Sequence, residues 1–314
     1  MNKKVVILGG GTGLSTLLRG LKKFPLDITA IVSVCDDGRS TGRLREEFNV
    51  PAVGDIRKVL VSLSETEPLI EKLLNYRFNT TSDLNGHTVG NLLLTALSDI
   101  SGNISDGIET LGKVFNLKGK VLPLTEDYVT LMGKMEDDSI IQGEHNITEV
   151  PKKIIDVFYK ETPTINPKAI QAIQEADLII LSMGSIFTSI IPNLICPEII
   201  EAIDNSKASI MYTCNMMTQP GETDNFKASD HIKLLNNYLG KRKIDVIISN
   251  NGPISKSYRD KYATLEQKEA VIFDKRELQK LGLKVIASNF VIVEDDVLRH
   301  NSIKLSSYIF SYTL

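Results

Sequence analysis

The sequence contains no tryptophan, only three cysteines and no long apolar run. Cys35, Cys196 and Cys214 are far apart and form no CxxC pair. They therefore predict neither a disulfide framework nor a zinc site, and a reducing compartment suits them best. No apolar run approaches the roughly 18 residues of a membrane-spanning helix, and the apolar stretch at the amino terminus is too short for a signal peptide. We expect a cytoplasmic protein without membrane insertion.

An excess of basic residues is also missing. The chain has 36 lysines and arginines against 39 aspartates and glutamates, and its net charge is -3. This balance argues against a nucleic-acid-binding protein, because such domains are usually strongly basic. Hydrophobic residues make up 42% of the 314 residues and charged residues 24%, which is typical of a globular protein. Since the sequence has no repeats or obvious linkers, we expect a single domain over residues 1–314.

The chain opens with a strand-helix-strand pattern. Residues 5–8 are an apolar run that predicts a buried strand. Residues 14–23 carry apolar side chains at the spacing of an amphipathic helix, and residues 28–34 predict a second strand. Such a unit closes into a parallel sheet.

The same pattern returns later in the chain. Residues 178–181, 208–213 and 244–248 are apolar runs that each lead into small or polar residues. We expect all these strands in one mostly parallel sheet flanked by helices, an α/β fold. Ligands of such sheets bind at the carboxyl ends of the strands. Residues 302–312 predict a closing helix.

Residues 119–160 have a different pattern. Three short strand candidates, at 129–132, 139–142 and 154–158, alternate with turn residues. We interpret this segment as a small β-rich insertion within the domain.

The first candidate site is the glycine-rich loop Gly9-Gly10-Gly11-Thr12-Gly13. Glycines allow positive φ and close backbone approach, and the helix that follows presents free N–H groups to an anion. A β-carbon at Gly11 should therefore block the ligand. The loop matches neither the dinucleotide fingerprint nor a Walker P-loop. The alternative is a tight turn without a ligand.

The second candidate follows the second strand. An acid there, such as Asp36 or Asp37, accepts a ribose hydroxyl in dinucleotide-binding folds. Two adjacent acids can instead hold a divalent cation next to phosphate. Arg39, Arg43 and Arg45 offer forked donors to phosphate. The alternative is a solvated loop of compensating charges.

Three further segments carry polar groups near predicted helix starts or strand ends. Asp55 opens an apolar-periodic helix and is either a ligand group or an N-cap. If a helix starts near Gly86, His87 and Asn91 share one of its faces, although a structural histidine is an equal alternative. Residues 215–224 are rich in neutral hydrogen-bonding side chains, which suit a sugar or a base better than acid-base catalysis. A solvated loop is the alternative.

These segments together resemble a known family, the YvcK proteins of bacteria or gluconeogenesis factors, which are relatives of CofD, the 2-phospho-L-lactate transferase of deazaflavin cofactor synthesis. The resemblance covers almost the whole chain. Lys58 and Arg39 stand where the family pattern has asparagine and glycine. The matching blocks are Gly9-Gly10-Gly11-Thr12-Gly13, Asp36-Asp37-Gly38, Gly42-Arg43-Leu44-Arg45, Gly54-Asp55-Ile56-Arg57, Gly86-His87, Gly90-Asn91-Leu92-Leu93-Leu94 and Asn215-Met216-Met217-Thr218-Gln219-Pro220-Gly221-Glu222-Thr223.

The resemblance implies a Rossmann-like regulator that binds a UDP-sugar such as UDP-N-acetylglucosamine and links gluconeogenic carbon metabolism to cell-wall synthesis and cell shape. It also implies cell-wall synthesis proteins as partners and a homo-oligomer. The glycine loop and the arginines would hold the pyrophosphate, with Mg²⁺ as a candidate cofactor. The implied ligand residues are Gly9, Gly10, Gly11, Thr12, Gly13, Asp36, Asp37, Arg43, Asp55, Arg57, His87, Asn91, Ser185, Asn215, Thr218, Gln219, Tyr262 and Arg299.

The resemblance leaves a second function open, that of an enzyme. CofD-type chemistry transfers a phospholactyl group from a nucleotide-activated donor to a deazaflavin alcohol, and it relies on positioning and charge neutralisation. The same glycine loop and aspartates would serve it. The regulator is favoured because the family-like blocks extend through residues 215–223.

Overall fold

A computed structural model describes residues 2–65 and 68–314, without the side chain of Arg39. The predicted phosphate contact of Arg39 therefore lies outside the described part. The strands are β1 (Lys3–Gly9), β2 (Leu26–Val32), β3 (Lys120–Pro123), β4 (Leu131–Met135), β5 (Ile140–Gln142), β6 (Ile154–Tyr159), β7 (Leu178–Leu181), β8 (Ser209–Thr213), β9 (Val246–Asn250), β10 (Lys284–Ser288), β11 (Val291–Glu294) and β12 (Val297–His300).

Helices connect most of these strands. They are α1 (Gly11–Leu21), α2 (Arg39–Phe48), α3 (Val53–Leu63), α4 (Pro68–Asn75), α5 (Val89–Ser101), α6 (Ile104–Val114), α7 (Glu144–Glu149), α8 (Pro167–Gln174), α9 (Ile191–Leu194), α10 (Pro197–Asn205), α11 (Ala228–Tyr238), α12 (Lys256–Glu266), α13 (Lys275–Lys280) and α14 (Ser302–Thr313). A π-helix, Ile186–Ile190, leads directly into α9. The predicted closing helix is confirmed as α14.

Seven parallel strands form the main sheet, in the order β10-β9-β8-β7-β1-β2-β3. All five strands predicted for this sheet are in it, so the predicted Rossmann-like α/β fold is confirmed. From β1 the chain adds strands in one direction as far as β3, and from β7 it adds them in the other direction as far as β10. The strand order therefore reverses between β1 and β7, and a reversal of this kind opens a crevice at the carboxyl ends of the strands.

The two faces of the sheet pack against different helices. Val5 and Ile7 of β1 belong to a buried cluster that includes side chains of α1, α3, α5 and α14. Val6 and Leu8 alternate with them and belong to a second cluster, which includes side chains of α8 to α11. Because both faces are covered, the strand is apolar along its length and needs no polar alternation.

A small antiparallel sheet, β5-β4-β6, lies inside the predicted β-rich insertion. The insertion starts later than the sequence predicts, because β3 pairs with β2 at the edge of the main sheet. A second small element, the β11–β12 hairpin, has no counterpart among the predicted strands. Strands at the edge of a sheet or in a two-stranded hairpin are short and half-exposed. Their sequences therefore lack the continuous apolar runs that mark the central strands.

The predicted helix start near Gly86 is wrong. The helix is α5, and the Thr88 side chain caps it by accepting from the Asn91 backbone amide. Gly86 has a φ of +80° and belongs to a turn, so His87 precedes the helix. The cause is local. The left-handed backbone at Gly86 keeps residues 86 and 87 out of the helix, and the Thr88 cap sets the helix start at Val89.

Within residues 2–65 and 68–314, no single helix has the length and hydropathy of a membrane span. One bent pair, Ile186–Leu194 with Pro197–Asn205 at 69°, passes the same test by length and composition only.

Candidate functional site

A cavity of about 330 Å³ opens at the carboxyl ends of β1, β7 and β8. Its walls come from the start of α1, the loops after β7 and β8, α12 and β12. The volume falls in the range of roughly 300–1,000 Å³ that small-molecule sites occupy. Eight of the predicted ligand residues line it, namely Thr12, Gly13, Ser185, Asn215, Thr218, Gln219, Tyr262 and Arg299.

A larger cleft of about 730 Å³ lies at the amino ends of β1, β2 and β3. None of the predicted ligand residues lines this cleft. Ligands of open parallel sheets bind at the carboxyl ends, beside the reversal of strand order. The smaller cavity is therefore the candidate functional site.

The glycine loop packs tightly against the loop after β7. A β-carbon on Gly13 would overlap the Met183 carbonyl, and one on Gly9 would overlap the Ser182 hydroxyl. Gly11 differs, because a β-carbon there would lie 3.8 Å from its nearest neighbour while the backbone has a φ of +63°. Packing against the Met183 backbone thus requires glycine at position 13, packing against the Ser182 side chain favours it at position 9, and the left-handed backbone favours it at position 11. No side chain caps α1.

Asn215 fixes the loop after β7 in place. Its side-chain oxygen accepts from the Gly184 amide at 2.9 Å, and its Nδ2 donates to the Gly184 carbonyl at 2.7 Å. Gly184 has a φ of +148°, which favours glycine. The side-chain amide of Asn215 therefore makes the same pair of hydrogen bonds that a backbone would make, and it joins two walls of the cavity.

The loop after β8 is also tied down. Thr218 donates its amide to the Glu269 carbonyl at 2.7 Å and accepts from the Glu269 amide through its hydroxyl at 2.9 Å. The Gln219 Nε2 donates to Glu222 at 2.5 Å, and the Ser185 hydroxyl donates to the same carboxylate. Burial raises the pKa of Glu222 to about 7. We did not predict Glu222 as a site residue; an acid among neutral polar residues after a buried strand is the signal that marks it.

The far wall of the cavity carries two cations. Arg299 is 37% exposed at its side chain and has a distant ion pair with Glu294, 3.9 Å away. Lys268, which was not predicted as a ligand residue, pairs with Glu266 at 2.7 Å. Tyr262 is 7% exposed and accepts a hydrogen bond from the Leu298 amide at 3.0 Å. The ring is therefore a fixed part of the wall.

His300, beside Arg299, adds no positive charge. Burial lowers its pKa to about 4. Its Nε2 lies 3.2 Å from the Cys214 carbonyl, so the neutral ring donates there. Arg299 and Lys268 are thus the cavity cations that an anionic ligand meets.

The predicted acids lie on the other side of the glycine loop. Asp55 accepts from the Gly11 amide at 2.5 Å and pairs with Lys58 at 2.8 Å. It lies in the first turn of α3 and is not its N-cap, which is Ala52. Asp36 accepts from the Gly38 amide and the Thr41 hydroxyl. Asp55 therefore connects this acidic side to the start of α1.

We call Asp36, Asp37, Asp55 and Glu144 the aspartate cluster. Burial, and then the charge of Asp55, raises the pKa of Asp36. Burial, followed by the charges of Asp36 and Asp55, raises the pKa of Glu144 to about 8. Asp37 accepts from the His145 amide at 2.8 Å. Mutual repulsion of this kind favours a bound proton or cation.

Metal geometry is not preformed in the described part of the chain. No three histidine, cysteine, aspartate or glutamate side chains there are arranged to hold a metal ion. Mg²⁺ usually keeps several waters and takes one or two carboxylates together with ligand phosphates. The described side chains of the aspartate cluster therefore form no complete metal site by themselves.

A buried network of hydrogen bonds connects three of the predicted residues, Arg57, His87 and Asn91. The Ser40 hydroxyl lies 2.9 Å from His87 Nδ1 and accepts from Asn91 Nδ2 at 3.1 Å. The Arg57 Nε donates to the Asn91 side chain at 3.0 Å, and Arg57 also donates to Asn75. His87 and Asn91 are thus joined through Ser40 and do not share a helix face, because His87 precedes α5. None of these residues lines the cavity.

The arginines of the second candidate segment bond to carbonyls. Arg43 donates to the Asp83 and Asn85 carbonyls, and Arg45 donates to the Cys35, Asp36 and Val129 carbonyls. Arg45 is 2% exposed. Their donors hold loops together, and neither residue lines the cavity.

Comparisons with known proteins identify the family of the chain. A family profile described as 2-phospho-L-lactate transferase CofD matches residues 5–291. A protein of Halalkalibacterium halodurans named gluconeogenesis factor is 48% identical over 309 residues, covering 98% of this chain and 95% of that one. A gluconeogenesis factor of Bacillus subtilis is 47% identical over 305 residues, covering 97% and 96%.

The crystal structure of a Bacillus halodurans protein, described as a member of the UPF0052 family, superimposes with a TM-score of 0.94 at 47% identity. The match covers 98% of this chain and 99% of that one. The chain therefore belongs to the CofD family and, within it, to the UPF0052 group with the gluconeogenesis factors.

Proposed function

We propose that the protein binds a UDP-sugar, such as UDP-N-acetylglucosamine, in this cavity. The bound protein would act as a regulator that links gluconeogenic carbon metabolism to cell-wall synthesis and cell shape, with cell-wall synthesis proteins as partners. The observation that carries the proposal is the convergence of eight predicted ligand residues on one cavity beside the glycine loop.

The charges of the cavity suit a pyrophosphate. Arg299 and Lys268 lie in one wall, and Thr12 and Gly13, at the start of α1, lie in another. The start of a helix favours anions through free N–H groups and the helix dipole. A diphosphate between these walls would replace the long Arg299–Glu294 pair with shorter, charge-assisted bonds.

The neutral groups of the cavity suit a base or a sugar. Asn215, Thr218 and Gln219 offer amide and hydroxyl groups, and Tyr262 offers an aromatic wall. Stacking of a base on such a ring is worth about 1–3 kcal/mol in single-strand binders. The names of the relatives, gluconeogenesis factors, support the link to carbon metabolism.

The test is a calorimetric titration with UDP-N-acetylglucosamine, UDP-glucose, NAD and a deazaflavin alcohol. We expect both UDP-sugars to bind and to raise the melting temperature, since a ligand at a hundred times its dissociation constant adds about 2.7 kcal/mol of stability. Tight NAD binding without UDP-sugar binding would refute the proposal. Turnover with the deazaflavin alcohol and a nucleotide-activated phospholactate would support the transferase instead.

We also propose that Mg²⁺ assists through Asp36 or Asp37 with the ligand phosphates. Repeating the titration with Mg²⁺ and with EDTA tests this point. If wild type, Asp36→Asn and Asp37→Asn all bind with the same affinity, and that affinity is the same with Mg²⁺ and with EDTA, both acids are excluded from the ligand site.

A further inference from the structure

Glu222 lies under the cavity and contacts two of its walls. The residue is 2% exposed. Its carboxylate accepts from the Ser185 hydroxyl at 2.7 and 2.8 Å, and from the Phe187 amide at 3.2 Å. The Gln219 Nε2 donates to it at 2.5 Å. One carboxylate therefore joins the loop after β7, the first turn of the π-helix and the loop after β8.

The two walls need such a connection. Ser185 and Gln219 both line the cavity, and they come from loops that follow different strands. Gly184 and Gly221, in the same two loops, have φ values of +148° and +75°. Glycines permit many backbone conformations, so side-chain contacts must select one. The Asn215–Gly184 pair fixes one point, and Glu222 fixes Ser185 relative to Gln219.

The hydrogen bonds of Glu222 offset a cost. A buried carboxylate is unfavourable unless donors satisfy it, and burial is the leading cause of its raised pKa. Every hydrogen bond named above comes from a residue of the cavity walls or of the π-helix that continues them. π-helices are rare and often lie at functional sites. The hydrogen bonds that offset the cost of burying the Glu222 carboxylate therefore all come from residues at or next to the proposed ligand cavity.

We propose that Glu222 is a positioning residue for the nucleotide-sugar, holding Ser185 and Gln219 at a fixed separation so that the ligand meets preset hydrogen-bonding groups. The Ser185 hydroxyl donates to Glu222 and accepts from the Thr188 amide at 3.0 Å and the Thr188 hydroxyl at 2.7 Å, so its part is to hold the wall in place. Gln219 keeps its side-chain carbonyl and second N–H for the ligand. This inference rests on the proposed function.

The test compares Glu222→Ala, Glu222→Gln and the control Asp204→Ala. Asp204 also joins two elements by accepting backbone amides, those of Lys241 and Arg242 at 3.0 Å, but it lies at the opposite end of the sheet. We expect Glu222→Ala to weaken UDP-N-acetylglucosamine binding at least tenfold. Glu222→Gln, which keeps the shape and one acceptor oxygen, should bind within about threefold of wild type, and Asp204→Ala within twofold. Calorimetry is done well below each melting temperature.

Hydrogen exchange without ligand gives an independent result. We expect Glu222→Ala to speed exchange at residues 185–190 and 217–222 and not in the rest of the sheet. Unchanged exchange there, wild-type affinity of Glu222→Ala, or an equal loss in Asp204→Ala would each overturn the inference. If wild type binds no UDP-sugar, the proposed function fails, while hydrogen exchange still decides whether Glu222 fixes the two loops.

Discussion

The backbone amide of Gly11 donates a hydrogen bond of 2.5 Å to the Asp55 carboxylate. The Asp55 side chain, from α3, thus accepts the hydrogen bond of an amide at the start of α1 that the sequence predicts as a donor to a ligand anion. Thr12 and Gly13, the next residues of the helix, line the cavity. The glycine loop therefore has two roles: one amide holds α3 in place, and the following residues form a wall of the cavity.

Asp55→Ala should lower the free energy of unfolding by about 1–3 kcal/mol. The variant leaves the partly buried Gly11 amide without its acceptor and Lys58 without its partner, and an unsatisfied donor away from water costs up to about that much. Urea unfolding measures the loss. Asp83→Ala, in an exposed loop, is the control and should stay within about 0.5 kcal/mol of wild type. Equal stability of the two variants would show that the bond contributes nothing.

Gly13→Ala should perturb the site more than Gly11→Ala. At Gly11 the new methyl group has room and the cost is backbone strain, about 1–2 kcal/mol. At Gly13 it would overlap the Met183 carbonyl, so the loop after β7 must shift. We expect Gly13→Ala to lose both stability and UDP-sugar affinity, measured by urea unfolding and calorimetry. A larger loss of stability and affinity in Gly11→Ala than in Gly13→Ala would mean that the glycine loop does not pack against Met183 in this way.

The central strands could be predicted because they are buried on both faces. Residues 5–8 and 178–181 are continuous apolar runs, and both became strands of the main sheet. The edge strand β10 and the β11–β12 hairpin are half-exposed, so their mixed sequences carry no such signal. Loops at the carboxyl ends of parallel strands meet at one edge, so the general position of a site followed from the strands, whereas residues such as Tyr262 and Arg299 were implied by the family resemblance.

The roles of individual polar residues could not be predicted as well. Arg43 and Arg45 sit among predicted phosphate donors, yet their partners are carbonyls up to 84 residues away. Glu222 stands three residues after Gln219, but its contacts to Ser185 and Phe187 cross 37 and 35 residues. Such pairings depend on tertiary packing, which no local spacing encodes. Local sequence identifies a polar segment but does not identify its partner.

Glu222 should make stability depend on pH. Burial raises its folded pKa to about 7, so the folded state holds the proton more tightly than the unfolded state. This contribution is complete below the ordinary glutamate pKa and is lost as pH rises through 7. The stability of wild type minus that of Glu222→Gln should fall by about 3 kcal/mol between about pH 4.5 and pH 8. Chemical unfolding at several pH values measures this difference, and a flat difference would show an ordinary pKa.

The last prediction concerns Arg299 and Tyr262, which line the cavity from β12 and α12. Arg299→Ala should weaken UDP-sugar binding at least tenfold, because each charge-assisted bond to phosphate is worth about 1.5–3 kcal/mol and 1.4 kcal/mol is tenfold. Its melting temperature without ligand should hardly change, since its ion pair with Glu294 is long and partly exposed. Arg19→Ala, which removes a surface arginine paired with Glu71, is the matched control and should keep wild-type affinity.

Tyr262 needs a different design. The residue is buried and accepts from the Leu298 amide, so Tyr262→Ala should lower stability by about 3–5 kcal/mol as well as affinity. Tyr262→Phe removes only the hydroxyl and keeps the ring. If the ring stacks on the ligand, Tyr262→Phe should bind within about threefold of wild type, while Tyr262→Ala, assayed well below its melting temperature, loses tenfold or more. If Arg299→Ala and Tyr262→Ala both bind UDP-sugar like wild type, the ligand does not lie in this cavity, because no ligand that fills it can avoid both walls.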